Sequence, residues 1–195
     1  MKPKKEEATL NPKEIVQTFI TAIQSGDMDM AAQYITDDFV FEGWTPPPLN
    51  KGEFLALMSE LHAAMPDFAF NLTDVSEQNG VVNAIMQISG TQTHTLSLPM
   101  FGIPLVPYTG TIVILPQEHA QFKLADNKVS QMQVQSVPGG GLAGLLQQLD
   151  TELPLPPRVG SIYELAGDER DQEIEAHGEA AQLSTEDTMT GEDAG

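Results

Sequence analysis

The sequence predicts an α+β domain, with helices early in the chain and a run of antiparallel strands behind them. Two patterns carry that expectation. Apolar residues recur at helical spacing in Ile15, Phe19, Ala22 and Ile23, and again in Phe54, Leu57, Met58, Leu61 and Met65. After Pro66 the pattern changes to strand-like runs broken by the turn pairs Asn79-Gly80 and Asp126-Asn127. Helices first and strands later is not the alternation of a βαβ sheet. A curved sheet wrapped around segregated helices would leave an apolar pocket between them.

The elements follow in order. Asn11-Pro12-Lys13-Glu14 starts the first helix: Asn11 caps, Pro12 suits the first turn and Glu14 completes a capping box. Gly26 ends it, and Asp27 caps a short second helix through Met30, Ala31 and Tyr34. Phe39 to Trp44 reads as a strand closed by Thr45-Pro46-Pro47-Pro48. Asn50-Lys51-Gly52-Glu53 is a second capping box, opening a third helix that Pro66 stops. Strands are expected over 68–75, 81–95, 109–115, 120–124 and 129–137, with a short closing helix over 141–149.

Charge bounds the function. The 195 residues carry 28 acids against 9 lysines and arginines, a formal net charge of -19. Nucleic acid is an unsuitable partner for that balance, since phosphate binding needs a basic face, and so is an anionic membrane surface. There is no Cys, hence no disulfide framework and no thiolate. The charged N-terminus lacks the apolar core of a secretory signal, no stretch is apolar for the length of a spanning helix, and a cytoplasmic protein is expected. Residues 161–195 hold 11 acids and a single Arg170, with too few large apolar side chains to offset an ordering cost of about 1–2 kcal/mol per residue. Expected organisation is a flexible N-terminus at 1–10, one domain at 11–152, and a Pro-rich linker with an acidic, disordered tail at 153–195. The tail serves solubility and spacing, or docks to a basic partner.

Several short motifs then fall into a known order. Val16-Gln17-Thr18-Phe19, Gln24-Ser25-Gly26-Asp27 and Asp37-Asp38-Phe39 resemble the opening of the nuclear-transport-factor-2-like (NTF2-like) superfamily. Met65-Pro66-Asp67-Phe68, Gly90-Thr91, Phe101-Gly102-Ile103-Pro104, Thr109-Gly110, Asp126-Asn127-Lys128-Val129 and Leu145–Leu149 resemble its SnoaL-like polyketide cyclase branch, to which ketosteroid isomerase is also related. The resemblance spans about residues 11–150. It implies an NTF2-like, cystatin-like cone, with three N-terminal helices packed on a curved, mostly antiparallel sheet. It also implies a homodimer and an enclosed site for a small hydrophobic, polyketide- or steroid-like compound. Fold alone fixes no reaction.

Cyclase and isomerase chemistry removes a proton beside a carbonyl. It needs a base and a donor for the developing enolate oxygen. Glu42 is the candidate base: by strand alternation Val40, Glu42 and Trp44 share a face, and the resemblance places the isomerase base within one residue of it. Phe19 stands where those relatives carry a donor Tyr, and a phenyl ring cannot donate. Gln131 and Gln133 replace the acid and Trp of the cyclase pattern; they can orient a ligand but not take a proton near neutral pH. Gln92 aligns with the family's strand His, and His94, two residues on, is the alternative acid/base or a rim residue. Trp44, Met58 and His62 complete the expected lining, His62 being otherwise a boundary residue. Glu118 and His119 are neighbours, face opposite sides of a strand and form no dyad. No His pair has metal-ligand spacing, so neither metal nor cofactor is expected. Gly139 to Gly144 fits G-x-G-x-x-G, but no second strand and acid follow as a dinucleotide site requires; the glycines turn the chain and start the last helix. The stretch Leu96–Tyr108, rich in Leu, Met, Phe and Pro, reads as an apolar flap over the pocket mouth or as a dimer-contact loop.

Three functions fit. The chain is a cofactor-free acid/base enzyme of the cyclase or isomerase class, a non-catalytic small-molecule-binding module, or a dimeric adaptor that works through its acidic tail.

Overall fold

A computed structural model describes residues 11–152 and Pro154. The N-terminus at 1–10 and, apart from Pro154, the linker and tail at 153–195 lie outside the described residues.

Both capping boxes form as the sequence dictates. Asn11 accepts from the Glu14 amide and Glu14 reaches back to the Asn11 amide, starting α1 (Pro12–Gln24). Asn50 and Glu53 do the same for α3 (Lys51–Ala64). Between these helices lie α2 (Met28–Gln33), capped by Asp27, then β1 (Ile35–Glu42) and the two-residue β2 (Leu49–Asn50). After α3 come β3 (Thr73–Gln78), β4 (Val81–Met86), β5 (Ser89–Thr91), a 3-10 turn at Pro99–Phe101, β6 (Ile112–Ile114), β7 (Glu118–Ala125), β8 (Lys128–Gln135) and α4 (Gly141–Gln148). The strands expected at 68–75 and 81–95 differ from this. The first starts at Thr73, and the second divides at Gln87-Ile88 because β4 and β5 belong to different sheets.

The larger sheet runs in the order β2-β1-β8-β7-β4-β3; β5 and β6 form a separate pair. All neighbours are antiparallel except β1 and β8, which are parallel, so the sheet is mixed. Two hairpins have the tight turns expected of them: Asn79-Gly80 and Asp126-Asn127 all take positive φ.

Alternation then assigns the faces. Phe39 and Phe41 of β1, Phe122 of β7 and Met132 and Val134 of β8 turn toward the helices and are buried. There the rings of Phe19, Phe39, Phe54 and Phe41 contact one another at centroid separations of 4.9–6.3 Å, with Trp44 beside Phe41 at 6.3 Å. Each such side chain contributes about 1.5–3 kcal/mol by burial, and each well-oriented ring pair about 0.5–1.5 kcal/mol more. Space between α1, α3 and β1 is therefore occupied by aromatic side chains.

The opposite face carries Glu42, His119, Gln121, Gln131, Gln133 and Gln135. This corrects the expectation that Val40, Glu42 and Trp44 share a face. Gly43 takes φ +89 and breaks the alternation, so Trp44 turns inward while Glu42 stays on the outer side.

A Cβ at Gly43 would run into the carbonyl oxygen of Val134 on the neighbouring strand. Gly43→Ala combines that clash with a left-handed φ and is expected to cost about 2–4 kcal/mol. Urea denaturation of the two proteins measures it; a difference below about 1 kcal/mol would show that the strand end accommodates a side chain.

Candidate functional site

The expected site residues fall into separate places. Phe19, Trp44 and Met58 are buried in the apolar core, packed against other side chains. Glu42, Gln131 and Gln133 lie together on the outer sheet face. Glu42 and Gln133 are register partners, and the Gln131 carboxamide donates to the Glu42 carboxylate at 2.6 Å. Glu42 is half-buried there. His94 is exposed on the loop after β5, where its Nδ1 meets the Thr93 hydroxyl at 3.0 Å. The amides of Thr93 and His94 both donate to the Ala64 carbonyl at the end of α3. Glu42 and His94 are not brought together.

Gln92 is fully buried, but its carboxamide is already engaged. Nε2 donates to the carbonyl of Pro107 at 3.1 Å and toward that of Val106 at 3.4 Å, while Oε1 accepts from the Thr109 hydroxyl at 2.6 Å. Val106 and Pro107 belong to the segment expected to be a flap, and Thr109 follows it directly. Within it Leu96, Leu98, Ile103 and Val106 are buried, and Leu96 and Val106 exchange both backbone hydrogen bonds. These four side chains fasten the segment to the core, and Gln92 pins it. His62 is half-buried on α3, with its imidazole against Gly26 at the end of α1.

Two of the family motifs meet directly. The Asp67 carboxylate accepts from the Thr91 amide at 2.6 Å and the Thr91 hydroxyl at 2.8 Å. That backbone hydrogen bond holds Asp67 below the ordinary carboxylate range. Gly90, next to Thr91, lies against Met65 and Phe68. Met65-Pro66-Asp67-Phe68 and Gly90-Thr91 accordingly fasten the end of α3 to β5, which is a structural task.

The sequence pattern undervalued Glu118. As expected, it and His119 face opposite sides of β7. His119 is exposed on the outer face, next to Gln121, Gln133 and Gln135 along a groove of about 230 Å³. Glu118 is 1% exposed and points inward beneath the turn at Gly139–Gly141. The Val137 and Gly141 amides, the Ser136 hydroxyl and the Trp44 indole surround it, yet neither carboxylate oxygen makes a well-formed hydrogen bond. Nor has the Trp44 Nε1. Desolvation by burial outweighs these donors and pushes the Glu118 carboxyl up. Glu118, Ala120 and Phe122 alternate inward, the signal that could have found it. Gly140 admits this carboxyl: a Cβ there would overlap Glu118 Oε1. The glycine run is thus a turn and the start of α4, with Gly140 as N-cap.

Among the described residues no three of His, Asp and Glu stand close enough together to hold a metal ion. No helix among them is long and apolar enough to cross a membrane.

The SnoaL-like domain family matches residues 16–132, more than half of the chain. The chain belongs to the SnoaL-like family. Curated proteins offer no match. Solved structures do. A protein named as a polyketide cyclase from Xanthomonas campestris pv. campestris is similar at 17% identity and a TM-score of 0.54, covering 71% of this chain and 96% of that one. AclR from Streptomyces galilaeus, named as a hydroxylase, is similar at 16% identity and a TM-score of 0.55, covering 71% and 95%. An epoxide hydrolase from M. tuberculosis is similar at 14% identity and a TM-score of 0.52, covering 71% and 92%. At these identities the likeness shows that the SnoaL-like chain has the NTF2-like fold. Three different reactions are named on that fold, so the reaction is left to the residues of the site.

The raised Glu118 carboxyl sets a sign for pH dependence. Its folded value lies above its unfolded one, so its contribution is fully present below the unfolded value and is lost as pH rises through the folded value. Glu118→Gln keeps the shape and an acceptor oxygen without the ionisation. The variant is expected to melt higher than wild type at about pH 7, with the gap closing toward about pH 4. Thermal melts across that range test it; a gap that widens on acidification would reverse the assignment.

Proposed function

We propose that this SnoaL-like protein binds a compact hydrophobic ring compound and serves as a non-catalytic binding module of the fold, working as a homodimer. The observation that carries the reading is the distribution of polar groups. Buried side chains between sheet and helices are apolar, apart from Glu118 beneath its glycine turn and Gln92, whose carboxamide is already engaged, while Glu42 and His94 lie on the outer face and on an exposed loop. A site of that kind holds a ligand by shape and desolvation, and offers no base and no enolate donor next to Phe19. Met58, Met65, Met86 and Met132 line the same core, and thioether side chains repack readily around a guest.

A ligand bound at a hundred times its dissociation constant adds about 2.7 kcal/mol to stability. Native mass spectrometry of the full chain purified from cells is expected to show a retained small-molecule adduct, and a library of compact polycyclic compounds to raise the melting temperature. An empty spectrum together with a flat library would reject the binding reading.

The cyclase or isomerase reading keeps one supporting observation: the 2.6 Å hydrogen bond from Gln131 orients the Glu42 carboxylate. With Glu42 as base, Glu42→Gln is expected to lower turnover of a carbonyl compound by about 10²-fold or more. An unchanged rate removes Glu42 from the chemistry.

A further inference from the structure

Exposed apolar side chains are concentrated in one segment. Of six exposed large hydrophobics among the described residues, five lie between Pro99 and Ile114: Met100, Leu105, Tyr108, Ile112 and Ile114, the last four each more than half exposed. Scattered exposed apolar residues need no explanation, but a concentrated set marks an interaction surface. The same stretch is electrically empty: from Thr95 to Gln117 there is no Asp, Glu, Lys, Arg or His, in a chain of net charge -19.

We propose that the outward side of residues 99–114 is the surface through which two copies of this chain pair. The proposal rests on the homodimer part of the function proposed above and names its interface. Charge selects the occupant. Two identical acidic chains repel over most of their surface, and here they can approach without setting carboxylate against carboxylate. A two-fold contact places the same patch on both partners, and an apolar patch is complementary to itself. The segment is also braced for the role. Its Ile103 and Val106, and Leu96 and Leu98 just before it, are anchored in the core, and Gln92 holds the Pro107 carbonyl and the Thr109 hydroxyl, so little order has to be gained on pairing. Pairing is by side chains rather than by strand addition. The Gln148 carboxamide accepts from the Ile114 amide at 3.1 Å and donates to the Ile114 carbonyl at 2.9 Å, covering the free edge of β6 at that residue.

The competing face is the outer side of the large sheet, with Gln121, Gln133 and Gln135. Size-exclusion chromatography with light scattering on the full chain distinguishes the two. Wild type is expected at twice the chain mass. Leu105→Glu with Ile112→Glu is expected to raise the dimer dissociation constant at least about tenfold, with circular dichroism unchanged. Gln121→Glu with Gln133→Glu is expected to leave the dimer intact. A wild type of single-chain mass overturns the homodimer reading and this proposal together. A dimer that survives the Leu105 and Ile112 changes, or that the glutamine changes weaken as much, overturns the proposal and leaves the homodimer standing. If the double glutamate chain fails to fold, Leu105→Ser with Tyr108→Ser repeats the measurement with a milder change.

Discussion

The contact on which the rest of the molecule depends is the ring cluster between β1 and the two long helices. Phe39 and Phe41 project from one side of β1, and Phe19 of α1 and Phe54 of α3 close on them. Without those rings the capped helices would be short amphipathic segments with nothing to cover. With them, α1 and α3 are held over the strand, and the outer face of β1 is left to polar residues. The cluster also decides the chemistry available inside. A volume that could surround a charged base is taken up by hydrocarbon, and the polar groups of β1 and β8 are displaced to the other side of the sheet.

One carboxylate is the exception, and its surroundings explain why it is tolerated. Glu118 sits where Gly140 lets the backbone pass close by, with amide, hydroxyl and indole donors around it. These donors relieve its burial only in part, so the carboxyl is displaced toward its neutral form. Asp67 shows the contrary case: near the surface and doubly hydrogen-bonded to Thr91, it is displaced toward its charged form. Two acids of one small domain thus move in opposite directions for reasons visible in their first neighbours.

Much of the fold was legible in the chain, because local rules determine helix starts and tight turns. Asn11 with Glu14, Asn50 with Glu53, and the pairs Asn79-Gly80 and Asp126-Asn127 act through neighbours a few residues away. The sheet order was not legible, since nothing local to Ile35–Glu42 announces that its partner lies some ninety residues downstream. The direction of Trp44 turns on a single residue. Alternation through Gly43 would put Trp44 beside Glu42, but a glycine at positive φ resets the direction of everything after it. Gln92 is a buried polar residue. Its partners could not be foreseen, because they come from a loop without periodicity that the fold returns to it.

The parallel union of β1 with β8 has a consequence for how the chain is made. β1 and β2 are complete by residue 50, yet β1's central neighbour begins at Lys128. During synthesis the early ribbon must wait, with Phe39 and Phe41 covered only by helices, until almost the whole domain has left the ribosome. Closing so long a loop is slow, and in the interval an unsatisfied strand edge invites a partner from another chain. The tenure of that edge, rather than the strength of any finished contact, sets the domain's exposure to misassembly.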